Sequence, residues 1–489
     1  MPGAERPRTL AELGLSDAPG TVTGLTADSR AVRPGFLFAA LPGVRAHGAD
    51  FAAQAVAAGA VAVLTDAEGA ARAGALPVPV LPVPDPRRAF ALAAAAFHGA
   101  QPAVVVAVTG TNGKSSVVSF LRQIWTALGH RAVSIGTLGI QGAVEAPGAL
   151  TTPDPVTLHR WLADLAGQGV SHVAIEASSH GLDQRRLDGV RLTAAGFTNL
   201  SRDHLDYHGS EEAYLAAKLG LFDRVLPAGG HVAANLDDPA AAAVRRISRA
   251  RGQPFLGVGR HPDALLRLLD AVHAPEWIDL QFAHAGSTYV SRLSLIGDFQ
   301  AANALLAAAL AIQCDAPAGR VFALLPHLKG VQGRMQLAGI TADGGAVYVD
   351  YAHTPQALEA ALRGLRPHVA GRILCVFGAG GDRDAGKRPL MGRAVAAHAD
   401  AAIVTDDNPR GEDPAAIRAA ILAGCPGARE IGDRAEAIRA GVAMLGPDDA
   451  LLIAGKGHET GQEVAGRVLP FDDLSAARAA IIAAGGQAS

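Results

Sequence analysis

One segment, 103–121, AVVVAVTGTNGKSSVVSFL, constrains the fold of this chain more than any other. A short β-branched run reads as a buried strand, the Gly-rich turn follows at once, and an apolar-periodic stretch predicts a helix over about 114–128. Strand, Gly110-Thr111-Asn112-Gly113-Lys114-Ser115-Ser116 and helix in that order make a phosphate loop. Small residues let backbone N–H groups close on phosphate oxygens; Lys114 reaches the outer phosphates, and the Ser115 hydroxyl suits Mg²⁺. Gly110 to Gly113 gives G-x-x-G-K, shorter than the usual G-x-x-x-x-G-K, which argues against a motor ATPase or a GTPase.

A chain of 489 residues is too long for one core, and the soft expectation is about three domains. Short apolar stretches rich in Gly and Pro fill residues 1–98. Strands then alternate with helices (155–167, 211–222 and DFQAANALLAAALAIQ among them), the pattern of a mostly parallel sheet. HLKGVQGRMQ reads as a linker, after which the alternation restarts through AVYVDYA, RILCVFGAG, AAIVTDD and DALLIAG. The expectation is α/β with three domains: a small N-terminal α/β domain (1–98), a central phosphate-loop domain (99–331) and a C-terminal Rossmann-like domain (332–489).

Hydrophobic residues at 49% and charged residues at 18% fit globular domains, and a net charge of −3 argues against a nucleic-acid-binding surface. No leader-like apolar region and no run of about 18 apolar residues occurs, so no membrane insertion is expected. Three scattered cysteines (Cys314, Cys375 and Cys425) suit a reducing cytoplasm. Of 43 basic residues only five are lysine: Lys114, Lys218, Lys329, Lys387 and Lys456. Where Arg otherwise serves, a retained Lys marks a position that needs a compact amine.

Glu176 ends the strand of SHVAIEASS, where a carboxylate can face the phosphates; with Ser115 it would suffice for Mg²⁺, which takes few protein ligands. His204 lies in the polar turn of TNLSRDHLDYHG. Lys218 shares a predicted helix with Tyr214, Leu215, Leu219, Leu221 and Phe222, so it either snorkels to solvent or loses its proton. A neutral amine can take up carbon dioxide as a carbamate and join His204 on a second Mg²⁺.

These blocks, with GRMQ, VDYAHTP, GAGGDRD, GKRP, DNPR and GKGHE, resemble the Mur ligases in order over nearly the whole chain. The resemblance implies ATP-driven amide synthesis through an acyl phosphate, in peptidoglycan precursor synthesis. A carboxylate of UDP-N-acetylmuramoyl-L-alanyl-D-glutamate would be activated, with two Mg²⁺ ions and a carbamylated Lys218. It further implies nucleotide-sugar and peptide contacts at Leu25, Ser29, His47, Thr151, Thr152, Ser178, Gln184 and Arg186, although Thr151 and Thr152 also read as helix caps. Around ATP it places Asn303, Arg334, Asp350 and His353; Asp350 reads equally as a turn-forming residue. Substrates are small molecules, and a monomer is expected.

The DNPR block bears on the added amino acid. A buried carboxylate calls for the planar fork of an arginine. Asn408-Pro409 sets a turn that aims Arg410, while Asp407, Glu459 and the Gly455 carbonyl can meet an ammonium; the resemblance implies Arg383 as a further contact. That combination points to meso-2,6-diaminopimelate over L-lysine. Competing readings are a folylpolyglutamate synthase, a D-Ala-D-Ala-adding ligase, or an ATP-binding scaffold without chemistry.

Overall fold

The computed structural model describes residues 6–43, 46–148 and 150–489. Three α/β domains follow one another along the chain, each built on its own sheet. The first sheet is parallel, in the order Gly24–Thr26, Phe36–Ala39, Ala62–Thr65, Val80–Pro82. The helix Pro86–His98 starts from an Asp85 cap, with proline in its first turn where no N–H is missed.

The second sheet has ten strands. Its parallel centre runs Leu266–His273, Phe255–Gly259, His231–Asn235, Ala194–Phe197, Val104–Thr109, His172–Glu176, Ala132–Gly136. Alternating residues of the central strands feed two cores. Val106, Val108 and Ala174 join the core that includes the helices Lys114–Ala127 and Phe299–Gln313. Val105, Ala107, Val173 and Ile175 join the one containing Leu158, Leu162 and Leu165 of the helix Pro155–Gly167. Burial on both faces explains why these strands read as continuous apolar runs. An antiparallel extension through Ile278–His284 and Ser287–Leu293 was not anticipated; its exposed face carries Val272 and Val290, and the alternation is easily missed between Ala-rich helices.

The third sheet runs Arg429–Glu430, Ala401–Val404, Ile373–Phe377, Ala450–Ala454, Ala346–Asp350, Gln336–Ile340, Gln487–Ala488, with only the last two pairings antiparallel. The linker before it is pinned to the phosphate-loop helix: Lys329 N donates to Gln123 Oε1 at 2.8 Å, and Gln123 Nε2 donates back to the Lys329 carbonyl at 3.0 Å.

Two local expectations need correction. The helix expected over 211–222 is α-helical as Glu211–Gly220 and then widens into a π turn at Leu221–Val225. Neither Thr151 nor Thr152 caps the helix that follows them; Asp154 does, accepting from Thr157 N at 3.1 Å, because it is the residue immediately before Pro155 at the first helical position.

Candidate active site

In open parallel sheets the loops after the strands' carboxyl ends are where ligands gather. Here both large sheets send those ends toward one cleft. From the central sheet come the phosphate loop after Thr109, Thr137 after Gly136, Glu176 at its own strand's end, and 198–208 after Phe197. From the C-terminal sheet come Asp350 and 351–356, the loop after Phe377 with Arg383 and Lys387, 405–410 after Val404, and 455–459 after Ala454. Thr137, Thr151, His180, Asp203 and His204 line one side of a cavity of about 660 Å³, and Tyr351, His353, Arg383, Lys387, Asp407, Asn408, Arg410, Gly455 and Glu459 the other.

The phosphate loop is held from within. Gly110 and Gly113 have φ of 144° and 86°, and a Cβ on Gly113 would meet Asn303 Oδ1 at 2.5 Å. Loop and Asn303 therefore sit in close contact. Lys114 Nζ donates to the carbonyls of Gly110 at 2.8 Å and Thr111 at 2.7 Å. Burial lowers its pKa, against the field of Glu176. Ser115 and Ser116 are buried in the first turn of the helix, and Ser115 Oγ donates to Glu176 Oε2 at 2.9 Å. Thr137 N donates to Glu176 Oε1 at 3.0 Å. The oxygens of Ser115 and Glu176 suit a hard cation completed by phosphate oxygens and water. No three His, Cys, Asp or Glu side chains form a metal-holding group among the described residues.

Lys218 does not snorkel. Its side chain is 1% exposed, its Nζ donates to the Gly110 carbonyl at 2.9 Å, and it lies 4.2 Å from the centre of the Tyr214 ring. Burial and the Lys114 ammonium drive its pKa well below the ordinary lysine value. His204 adopts a left-handed backbone (φ 53°) that turns the chain, with Nε2 3.4 Å from Asp203 Oδ2 and its ring 4.7 Å from that of His180. Burial brings its pKa down to about 4, so the imidazole is neutral near pH 7 and has a lone pair to offer.

Asp350 is a turn-forming residue within the chain: its carboxylate accepts from Met335 N at 2.7 Å and Ala352 N at 2.8 Å, and burial raises its pKa. Arg334 stacks 4.6 Å over the Tyr351 ring and lines a separate cavity of about 810 Å³ beside the linker. His353 Nδ1 lies 2.8 Å from the Tyr351 carbonyl, and Lys387 Nζ donates to the His353 carbonyl at 3.0 Å.

Thr152 Oγ1 donates to the Glu176 carbonyl at 2.7 Å and lies 3.0 Å from Ser178 Oγ, which caps the short helix Ser179–Asp183. Arg186 donates to the Thr152 carbonyl at 2.7 Å and to Gln184 Oε1 at 2.7 Å, which joins this group to the Glu176 strand end. Leu25, Ser29 and His47 lie apart from the cleft lining, at the carboxyl edge of the first sheet. His47 Nδ1 accepts from Ala49 N at 3.0 Å, and its Nε2 is 3.2 Å from Asp66. Arg45, of the RAHGAD stretch, lies outside the described residues.

Arg410 has a left-handed backbone, φ 52°. Its guanidinium donates to the Gly381 carbonyl at 2.9 Å and to Glu463 Oε2 at 3.1 Å. Its main chain is stitched to the hairpin Gly461–Val464/Arg467–Pro470, with Arg410 N donating to the Glu463 carbonyl. Asn408 is held at both ends of its amide: Oδ1 accepts from Lys456 Nζ and Glu463 N, both at 2.9 Å, and Nδ2 donates to Glu459 Oε2 at 2.9 Å. Pro409 is absent from the lining.

Thr137, Asp203, Lys387, Lys456 and Glu463 escaped the sequence reading as site residues. For Lys387 and Lys456 a signal existed in the scarcity of lysine. Thr137 and Glu463 act across 39 and 53 residues of chain, which no local pattern reports.

Three family models match the chain: "Mur ligase family, catalytic domain" over 21–98, "Mur ligase middle domain" over 108–311, and "Mur ligase, glutamate ligase domain" over 333–457. A UDP-N-acetylmuramoyl-L-alanyl-D-glutamate–2,6-diaminopimelate ligase of Caulobacter vibrioides is 54% identical over 463 residues, 93% of this chain and 94% of that one. The protein of that name from Bradyrhizobium diazoefficiens is 53% identical, covering 94% and 95%. A solved structure of a ligase of the same name superposes with a TM-score of 0.71 at 34% identity, covering 98% and 99%. A folylpolyglutamate synthase of Mycobacterium tuberculosis shares the fold alone, at 19% identity and a TM-score of 0.63.

Proposed function

This chain belongs to the Mur ligase family, and from that premise we propose that it joins meso-2,6-diaminopimelate to the D-glutamate side-chain carboxylate of UDP-N-acetylmuramoyl-L-alanyl-D-glutamate at the expense of ATP. The observation that carries the reading is a cleft with Thr137, Thr151 and His204 in one wall and Arg410 with Glu459 in the other; Thr137 N donates to Glu176, which with Ser115 lines an adjoining cavity of about 290 Å³.

A carboxylate resists amines until it is made a better electrophile. ATP transfers its γ-phosphoryl group to the substrate carboxylate; the amine attacks the acyl carbon, phosphate leaves with the electrons of the broken C–O bond, and the amine nitrogen gives up a proton. Lys114 and the loop N–H groups hold the phosphates, and Asn303, Arg334, Asp350 and His353 border the nucleoside. Ser115 and Glu176 would hold one Mg²⁺, and His204 with a carbamylated Lys218 a second. Bound there, the ions would neutralise charge on the phosphoryl oxygens. Lys218 fits the carbamate because its amine is buried without a carboxylate partner among the described residues and has its pKa depressed.

At the far end of the amino acid, Arg410 pairs with the carboxylate, and Glu459, Asp407 and the Gly455 carbonyl take the ammonium; Arg383 and the DNPR turn complete the pocket. Leu25, Ser29 and His47 hold the nucleotide end, and Thr151, Thr152, Ser178, Gln184 and Arg186 the muramoyl peptide. On this reading 1–98 is the UDP-binding domain, 99–331 binds ATP and 332–489 binds the amino acid. ATP as co-substrate and three free thiols fit a cytoplasmic protein, which we take to act as a monomer, and no helix among the described residues is long and apolar enough to cross a membrane. Phosphate release should require the nucleotide-peptide and the amino acid together; release with ATP alone would fit a different activity.

A further inference from the structure

Lys456 is the least accessible cation of the recognition pocket, 0% exposed and absent from the cleft lining. It is driven inward by its neighbours. Gly455 and Gly457 both have positive φ, 119° and 55°; a Cβ on Gly455 would meet Asp407 Oδ2 at 2.4 Å, and one on Gly457 would meet the Tyr351 Cβ at 2.7 Å. Squeezed between two obligatory glycines, the lysine side chain passes behind the pocket. There its Nζ donates to Asn408 Oδ1 at 2.9 Å and to Glu459 Oε2 at 3.0 Å.

Three ion pairs in and behind the pocket are closed within the chain. Glu459 has Lys456, Arg410 has Glu463, and Arg434 behind the loop has Asp473. Asp407, the remaining carboxylate of the loop, lies in the fields of Lys387 and Arg434. Glu459 Oε2 is occupied by Lys456 and Asn408. Oε1 carries no hydrogen bond among the described residues, on a residue that lines the cleft.

We propose that Lys456 is a positioning and specificity residue. By balancing Glu459 from behind, it leaves a pocket that rewards an ammonium and a carboxylate together and gives little to an ammonium alone. A zwitterionic side-chain end exchanges partners with both internal pairs at no net cost in charge. A lone cationic end would place a second cation on Glu459 beside Lys456 and leave Arg410 paired as before. This inference rests on the reading of the cleft as a diaminopimelate site and adds how the rejection of L-lysine is built.

The test is kcat/KM for meso-diaminopimelate and for L-lysine, with saturating ATP and nucleotide-peptide, in the full chain. Lys456→Met keeps the volume and removes the charge. The preference for diaminopimelate should fall about tenfold, the scale expected of one nearby unit charge in a partly buried site. In a Glu459→Gln background the same substitution should change the preference little, since Lys456 acts through Glu459. Proportional loss on both amino acids would overturn the proposal and make Lys456 a structural residue. If Lys456→Met shows no ATP-dependent thermal shift, the near-isosteric Asn408→Asp takes its place. It sets a second carboxylate against Lys456 and should erode the preference in the same direction; an unchanged preference overturns the proposal. Arg410→Ala separates the two claims. If it leaves diaminopimelate kcat/KM unchanged, the diaminopimelate reading fails whatever Lys456 does; if it collapses that value while Lys456→Met does not alter the preference, only the present inference fails.

Discussion

Lys114 and Lys218 share one acceptor: the Gly110 carbonyl takes a hydrogen bond from the first at 2.8 Å and from the second at 2.9 Å. Two amines on one oxygen disfavour both being charged, and burial together with the Lys114 ammonium drives the Lys218 pKa well below the ordinary lysine value. A neutral amine beside a phosphate loop is what carbamate formation needs.

Lys218→Ala should therefore lower kcat about a hundredfold or more while leaving ATP binding in place, a loss on the scale of one positioned electrostatic group. Wild-type enzyme stripped of carbon dioxide should lose activity and regain it with bicarbonate, and carbon-13 bicarbonate should label Lys218. Activity independent of bicarbonate would remove the carbamate from the account.

Arg410→Ala should lose roughly 2–5 kcal/mol of transition-state stabilisation for diaminopimelate, because a buried carboxylate is left without its partner. Arg429→Ala, on an exposed strand of the same domain, serves as control and should change kcat/KM little.

Arg434 and Asp473 form a bidentate pair at 2.7 Å, both side chains 0% exposed, and Arg434 also donates to the carbonyls of Ala454 and Asp406. It ties together the two strand ends that carry the loops 405–410 and 455–459. Asp473→Ala should destabilise the protein by about 3–5 kcal/mol in denaturant unfolding, since it strands a buried guanidinium.

His159 should impose a pH dependence on stability. Burial brings its pKa from 6.5 down to about 4, and its Nε2 lies 3.1 Å from the Asp188 carbonyl. Between those two values the unfolded chain binds a proton that the folded one refuses, so stability rises with pH through the window and is lost as pH falls from 6.5 to 4. The full contribution is roughly 3 kcal/mol. His159→Phe should flatten the decline of Tm over that range relative to wild type, measured by calorimetry.

Much of the fold was legible because it is carried by local patterns. The segments around Val104–Thr109, Lys114–Ala127 and Pro155–Gly167 announce themselves by β-branching, a Gly-rich turn, and an Asp-Pro start. The loops after strand ends could be placed because parallel sheets gather ligands there. What the residues alone left open was settled by distant packing. Whether Lys218 reaches solvent depends on Gly110, 108 residues away in sequence, and whether Asn408 faces a ligand depends on Lys456, 48 residues away. Asn408 in particular proves to be a bracket for Glu459 and the 461–470 hairpin, with both ends of its amide already used within the chain.

The most direct measurement is a ligation panel: purified protein, ATP, Mg²⁺ and UDP-N-acetylmuramoyl-L-alanyl-D-glutamate, with meso-diaminopimelate or L-lysine at equal concentration, followed by phosphate release and product mass. The expected result is turnover with diaminopimelate at least about a hundredfold above that with lysine, the discrimination that one unpaired buried charge supplies. Comparable turnover with both would contradict the reading of Arg410 and its loop.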